Sequence, residues 1–169
     1  MSVALAYLSL GSNLGDRRQN LARVSAELAR AGVIEVVQSS SIYETDPQDF
    51  PDQPAFLNSV LAVRSNLSPF PLLHLTQTVE NGMGRVRSEI PKGPRLIDID
   101  ILLLGEFIVH DERLSIPHPR MLNRRFVLEP LVEIAPDLRH PATGALIRDF
   151  LPGVRDQRIL AIHESPIPG

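Results

Sequence analysis

The chain has 169 residues, of which 43% are hydrophobic, and this composition is sufficient to enclose one core. The formal net charge of -3 excludes a broadly basic surface of the kind that attracts nucleic acid or anionic lipid. The absence of cysteine excludes disulfides, thiolate metal sites and a cysteine nucleophile. We therefore expect one domain over residues 1–155, with a C-terminal tail over 156–169.

The location and assembly of the chain are predicted from the same features. No apolar run approaches the roughly 20 residues that span a bilayer. The apolar start at Val3 lacks the preceding basic region of a secretory signal. We expect a cytoplasmic protein that acts as a monomer, without a membrane or nucleic-acid partner.

The N-terminal part predicts a strand, a helix and two further strands. An apolar strand at its start leads to a turn, and Asp16 then precedes an amphipathic helix. Residues 33–43 and 56–63 have strand-like composition, and two successive strands favour a hairpin. Their connection over 45–54 is rich in Pro and Asp and longer than a tight hairpin needs, which is typical of a functional loop.

The next segments complete a recognisable order of elements. Residues 68–82 predict a helix that begins at Ser68 and Pro69, and 82–95 predict a basic loop. Residues 96–104 predict a buried central strand, because the stretch ends in an unbroken apolar run. The order βαββαβ is that of the ferredoxin-like fold, an α+β class with an antiparallel sheet and both helices on one face. A C-terminal extension of a hairpin and a short helix is predicted over 107–116, 126–134 and 138–147.

Two carboxylates, Asp98 and Asp100, are the first candidate functional residues. On a strand they point to one face, while the alternating isoleucines point to the other. A bare Asp-x-Asp is often only a solvated strand face, but adjacent charges at the mouth of a buried strand need a compensating cation. Hard oxygen ligands without neighbouring Cys or His favour Mg²⁺, which retains water and phosphate oxygens as its other ligands.

A cluster of basic residues follows in the same region. Residues 85–125 contain eight Lys or Arg and six acids within an acidic protein, which predicts a local site for a polyanion. Neither a P-loop nor a protein-kinase glycine loop occurs in the chain.

Several short motifs occur along nearly the whole chain, and the segment from Gly93 to Leu102 is the most specific of them. The others are Leu10-Gly11-Ser12-Asn13-Leu14-Gly15, Tyr43-Glu44-Thr45, Gln53-Pro54-x-Phe56-Leu57-Asn58, Gly84-Arg85-x-Arg87, Arg113-Leu114-x-x-Pro117-His118 and Asn123-Arg124-x-Phe126. Together these motifs resemble the 6-hydroxymethyl-7,8-dihydropterin pyrophosphokinase family of folate synthesis.

The resemblance implies a reaction and a set of site residues. A pyrophosphoryl group would pass from ATP to the hydroxymethyl arm of the pterin, and AMP would leave. Asp98 and Asp100 would hold two Mg²⁺ ions and, with Arg85 and Arg95, would be the catalytic residues. The remaining ATP-binding residues would be Gln77, Glu80, Arg87, Arg113, Ser115, His118 and Arg124. The pterin-binding residues would be Thr45, Asp46, Phe56, Asn58 and Phe126.

The chemistry of a pterin fits that last set. Two aromatic rings can sandwich a flat bicycle, while the Asn58 amide offers both a donor and an acceptor. Each residue also has a plainer interpretation, since a Phe often packs in a core and a buried Asn often satisfies backbone groups. One position departs from the family pattern: Pro91 and Lys92 replace the basic residue and Trp that many members carry before Gly-Pro-Arg.

Two alternatives remain open at this point. Another Mg²⁺-dependent phosphotransferase or nucleotidyltransferase would use the same acidic and basic residues. An RNA-binding module could use the same sheet, but it needs exposed aromatic residues on its central strands, and residues 97–104 contain none.

Overall fold

The protein is an α+β fold built on one antiparallel sheet of six strands. The computed structural model of the chain describes residues 3–46, 52–84 and 96–165. The strands of the sheet are β1 (Ala4–Ser12), β2 (Ile34–Ser39), β3 (Ile42–Thr45), β4 (Phe56–Ser65), β5 (Asp98–Leu104) and β8 (Ile159–His163). The α-helices are α1 (Arg17–Arg30), α2 (Pro69–Gly82) and α3 (Arg125–Ile134), and a small hairpin consists of β6 (Val109–His110) and β7 (Ser115–Ile116).

The strand order confirms the ferredoxin-like prediction. The sheet runs β5-β1-β4-β3-β8, and β2 also pairs with β4 beyond the end of β3. Strands β2 and β3 therefore serve as successive halves of one long strand beside β4. With the helices between them, β1, α1, β2/β3, β4, α2 and β5 reproduce the βαββαβ unit.

The main core lies between the sheet and the helices α1 and α2. The carboxylate of Asp16 accepts from the backbone N–H of Gln19 at 3.1 Å, which satisfies an N–H that α1 leaves unpaired in its first turn. Leu21 and Leu28 then fall on the face of α1 that is buried against Leu8 of β1.

The opposite face of the sheet is covered in part by α3. Tyr7 of β1, Val60 of β4 and Leu102 of β5 form a second core with Val127 and Leu128 of α3. The short helix predicted over 126–134 is confirmed by α3, and the hairpin predicted over 107–116 is confirmed by β6 and β7.

Strand β5 lies at the end of the sheet, so the prediction of a central strand is wrong. Its apolar run is buried because core residues cover both faces, with Ile101 on the side of α1 and α2 and Leu102 on the side of α3. Groups from outside the sheet bond to the backbone of β5. The Ile99 N–H donates to the Glu80 carboxylate at 2.8 Å, and the Leu102 carbonyl accepts from the His118 N–H at 2.9 Å.

The C-terminal residues beyond 155 include a strand of the main sheet. Residues 159–163, which the sequence placed in a tail, form β8 and pair with β3 from Ile42 to Thr45. This pairing satisfies the edge of β3 that β4 leaves open. Within the described ranges, no helix is both long and apolar enough to cross a membrane.

Candidate active site

One row of paired residues crosses the sheet where β1 ends. Asp98 pairs with Gly11, Gly11 with Asn58, and Asn58 with Tyr43. Side chains of paired residues in an antiparallel sheet lie on the same face, and neighbouring strands are about 4.8 Å apart. Asp98 and Asn58 are therefore roughly 10 Å apart at their backbones, with only the hydrogen atoms of Gly11 between them. No side chain of β1 stands between the carboxylate and the amide at Gly11, which is itself buried, and we call this position the gap.

The two carboxylates of β5 share the face that carries this gap. Asp98 pairs with Gly11 and Asp100 with Ser9, and both aspartates are half-buried while Ile99 between them is buried in the main core. Successive residues on one face of a strand are about 7 Å apart along the chain. Two partly exposed carboxylates at this spacing suit a hard cation that also binds phosphate oxygens, so the residues fit Mg²⁺.

The amide of Asn58 is held in a fixed orientation. Its Nδ2 group donates to the Thr45 hydroxyl at 2.7 Å and to the Tyr43 carbonyl at 3.3 Å. Because the nitrogen is engaged inside the protein, Oδ1 is the atom that can accept from a ligand. Both Asn58 and Thr45 are buried, so the orientation is protected from competition with water.

Gly11 makes close contact with the aromatic wall of the gap. A Cβ atom at this position would lie 3.4 Å from the Asn58 Oδ1 and 3.6 Å from Cδ1 of Phe56. Phe56 is half-buried and pairs with Thr45 across β3 and β4. The glycine thus lets a ring and an amide lie directly against the buried backbone of β1.

Tyr43 connects the same row to α3. Its hydroxyl donates to the Glu133 carboxylate at 2.5 Å, and the Ser41 N–H and hydroxyl donate to the other oxygen of that carboxylate at 2.9 and 3.0 Å. Burial, and then the hydrogen bond to Glu133, raises the pKa of Tyr43 well above its ordinary value. The tyrosine therefore stays a neutral donor that holds α3 against β3.

The first turn of α3 carries two of the predicted site residues. Phe126 is half-buried against the second core, on the same face of the sheet as Asn58. The guanidinium of Arg124 lies over the Phe126 ring, 5.4 Å from its centroid. A phosphate contact and an aromatic contact predicted from sequence thus lie side by side.

His118 is a neutral donor at the edge of β5. Its Nδ1 atom accepts from the Arg120 N–H at 3.2 Å, so the proton of the neutral ring is on Nε2. Burial, followed by the charges of Arg124 and Arg120, lowers the pKa of His118 from 6.5 to about 4. The neutral ring makes its full contribution to the free energy of unfolding above pH 6.5. As the pH falls from 6.5 towards about 4, the unfolded chain takes up a proton on this histidine while the folded protein does not. The contribution is therefore lost over this range.

The remaining predicted ATP residues are distributed along α2 and the β6–β7 hairpin. Glu80 is 4% exposed and binds the backbone of β5 beside the aspartates, and the exposed Gln77 lies one turn before it. The guanidinium of Arg113 lies 4.5 Å from the centroid of the Phe70 ring and bonds to Asp111 at 3.3 Å. Since Phe70 precedes Glu80 by ten residues in α2, their backbones are about 15 Å apart along the helix. Ser115 pairs with His110 in the hairpin.

Three predicted arginines lie outside the described residues. Arg85, Arg87 and Arg95, together with Pro91 and Lys92, belong to 85–95, and so they stay predictions. Asp46 is described: its carboxylate bonds to the Arg158 guanidinium at 2.9 and 3.0 Å.

Two features of the site have no role in the predictions from sequence. Gly11 was quoted only as part of a motif, because a residue without a side chain gives no chemical signal. The amide of the buried Asn13 donates to the Gln53 side chain at 2.7 Å and to the Pro54 carbonyl at 3.2 Å, which anchors the segment that returns into β4. Gly11 and Asn13 both belong to the Gly11-Ser12-Asn13 turn, and this motif is the feature of the sequence that could have indicated them.

The fold and the site define a class of α+β protein in which an acidic pair and a polar aromatic gap share one face of a ferredoxin-like sheet. The family model described as 7,8-dihydro-6-hydroxymethylpterin-pyrophosphokinase (HPPK) matches residues 7–136. The chain belongs to this family.

Relatives agree with this assignment, and solved structures share the fold. A Bacillus subtilis 2-amino-4-hydroxy-6-hydroxymethyldihydropteridine pyrophosphokinase is 47% identical over 83% of this chain and 84% of its own length. The folic acid synthesis protein fol1 of Pneumocystis carinii is 45% identical, but this chain covers only 20% of it.

A crystal structure of an HPPK-DHPS in complex with substrates superposes with a TM-score of 0.71 at 16% identity, over 92% of this chain and 44% of that one. A wild-type Plasmodium falciparum HPPK-DHPS with pterin and p-hydroxybenzoate superposes with a TM-score of 0.68 at 17% identity, over 90% and 42%. These two likenesses concern the fold, and the chain spans less than half of each structure.

Proposed function

We propose that the protein transfers a pyrophosphoryl group from Mg²⁺-bound ATP to the hydroxymethyl group of 6-hydroxymethyl-7,8-dihydropterin, in folate biosynthesis. Membership of the HPPK family over residues 7–136 supports the reaction. So does the name of the Bacillus subtilis relative, which matches over most of both chains.

The observation that supports this function best is the row Asp98, Gly11, Asn58. A pterin bound at the gap would present its N–H edge to the Asn58 Oδ1, and its arm would pass Gly11 towards β5. The arm would then end near the carboxylates of β5. The register of two strand pairs thus sets the distance between the site that holds the pterin and the site that holds the phosphates.

Asp98 and Asp100 are the residues that would hold Mg²⁺. Bound metal ions neutralise negative charge on phosphate oxygens and bring a triphosphate and its acceptor together. The sequence resemblance implies two Mg²⁺ ions, and this number is part of the proposal.

The protein groups act by orienting and shielding the reactants. The pterin hydroxyl attacks the β-phosphorus of ATP, the bond from that phosphorus to the oxygen of the α-phosphate breaks, and AMP leaves as the hydroxyl loses its proton. Arg124 and the Nε2–H of His118 would donate to phosphate oxygens, since Arg124 lies beside Phe126 and the Nδ1 atom of His118 is already an acceptor. Thr45 keeps the Asn58 amide in its productive orientation, and Phe56 and Phe126 supply the apolar surfaces for the ring.

The other predictions made from sequence remain part of the proposal. Contacts of ATP with Gln77, Glu80, Arg113 and Ser115, and with the three arginines outside the described residues, stay predictions. So do a monomeric state and a cytoplasmic location.

Product analysis tests the proposed reaction. The protein, ATP, Mg²⁺ and the dihydropterin should give AMP and pterin pyrophosphate in equal amounts, with little AMP when the pterin is left out. Formation of ADP, or release of free pyrophosphate in step with AMP, would instead favour a simple phosphotransferase or a nucleotidyltransferase.

A further inference from the structure

The segment that leads into β8 contacts both sides of the proposed substrate site. Gln157 and Arg158 are neighbours in the chain, and their side chains bond to different parts of the fold. We infer that this segment, residues 155–159, is a positioning element for both substrates, and we name it the C-terminal brace. The inference rests on the proposed function, since it assigns a role relative to those substrates.

Gln157 holds the peptide groups on either side of Arg124. Its Oε1 accepts from the Arg125 N–H at 2.8 Å, and its Nε2 donates to the Asn123 carbonyl at 2.8 Å. The Arg125 N–H belongs to the first turn of α3, where no side chain of the helix's own N-cap provides a partner. One amide therefore fixes the backbone at the point from which Arg124 projects.

The same contact is reinforced from the other direction. The Arg125 guanidinium donates to the carbonyls of Gln157 at 2.9 Å and Arg155 at 3.2 Å. Because side chains of both segments bond to the backbone of the other, the start of α3 and the brace have one relative position. Phe126 is one residue beyond this junction, so its ring is fixed by the same contacts.

Arg158 contacts the other side of the proposed site, where Thr45 and Asn58 lie. Its guanidinium bonds to the Asp46 carboxylate at 2.9 and 3.0 Å, and the next residue, Ile159, pairs with Thr45. Thr45 in turn accepts from Asn58. The brace thus connects the wall of Arg124 and Phe126 with the wall of Thr45 and Asn58, and it sets the separation between them.

The two halves of the brace should have separable effects on substrate binding. Gln157→Met keeps the length of the side chain but removes both hydrogen bonds. It should raise the KM of ATP and the KM of the pterin by roughly tenfold each, since a misplacement of about 1 Å can already cost about 10²-fold in rate. Arg158→Met should raise the KM of the pterin alone, by a few-fold to roughly tenfold.

Matched controls lie elsewhere on the surface. Gln38→Met changes an exposed glutamine of β2, and Arg64→Met breaks an exposed ion pair with Glu35 at 3.1 Å. Both should retain the KM values of the unmodified enzyme. In an Arg124→Met background, Gln157→Met should no longer raise the KM of ATP, because its effect acts through Arg124.

Steady-state kinetics of these variants, with unfolding by urea measured in parallel, decides the inference. A loss of stability in Gln157→Met and Arg158→Met with unchanged KM values would show that the brace is only structural and would overturn the inference. If Gln157→Met does not fold, the KM of Arg158→Met for the pterin decides. If the unmodified protein forms no AMP, the proposed reaction fails, and calorimetric affinities of the same variants for a non-hydrolysable ATP analogue decide the role of the brace.

Discussion

Asp98→Asn is expected to slow turnover by about 10³-fold or more, with little change in the stability of the fold. The substitution keeps the shape of the side chain and removes a negative charge from the pair that would hold Mg²⁺. A metal ion supplies several kcal/mol of stabilisation to the transition state, and each factor of ten in rate corresponds to ~1.4 kcal/mol. Asp98 is half-buried and asparagine has nearly the same size, so the variant should stay folded.

The measurement is kcat in the AMP assay as a function of Mg²⁺ concentration. Asp137→Asn is the matched control, because it also neutralises an aspartate but one that is 89% exposed in an ion pair with Arg148 at 2.7 Å. The control should keep normal turnover and normal Mg²⁺ dependence. Near-normal turnover of Asp98→Asn at ordinary Mg²⁺ would remove Asp98 from the metal site.

Asn58→Leu is expected to reduce kcat/KM for the pterin by about 10- to 100-fold. Leucine has the same branching as asparagine but cannot accept from the pterin, and a buried polar partner left without its hydrogen bond costs about 1–3 kcal/mol. The substitution also removes the Asn58 Nδ2 group, which donates hydrogen bonds to the Thr45 hydroxyl and the Tyr43 carbonyl. The KM of ATP should change little, since the Asn58 amide lies on the other side of the gap from the carboxylates.

Separate titrations of the two substrates check this expectation. Asn66→Leu is the matched control, because Asn66 is exposed in the connection from β4 to α2. Urea unfolding of Asn58→Leu shows whether enough folded enzyme remains for the comparison. A variant that is folded and uses the pterin as well as the unmodified enzyme would refute the role of the amide.

The order of elements was predictable because periodicity reports which faces are buried. The pattern of α1 and the start of α2 needed only local information, and both were confirmed. The position of β5 was not predictable, since an unbroken apolar run indicates two covered faces and carries no information on its edges. The edge of β5 is bonded to Glu80 and His118, which come from separate parts of the chain.

The residues of the site also fall into two groups: those that local sequence could place, and those that depend on contacts between distant parts of the chain. Asp98 and Asp100 could be placed on one face from their spacing alone, and the register of β5 with β1 agrees. The gap at Gly11 required knowledge of which strands are neighbours. Gln157 and Arg158 gave no signal, because their partners are 32 to 34 and 112 residues away in the chain. Strand β8 was assigned to a tail for the same reason, since it is stabilised by pairing with the distant β3.

The central claim is that the gap at Gly11 joins the pterin site to the acidic pair. Calorimetry with Gly11→Ala, in the presence of Mg²⁺ and a non-hydrolysable ATP analogue, tests it most directly. The added Cβ meets Asn58 and Phe56 at 3.4 and 3.6 Å, so the chain can fold while the floor of the gap is raised. Gly153→Ala is the control, because its Cβ would meet nothing within 4 Å. We predict that Gly11→Ala binds the dihydropterin at least roughly tenfold more weakly, a loss of ~1.4 kcal/mol, and that Gly153→Ala binds it normally. Equal affinity in both variants would contradict the account.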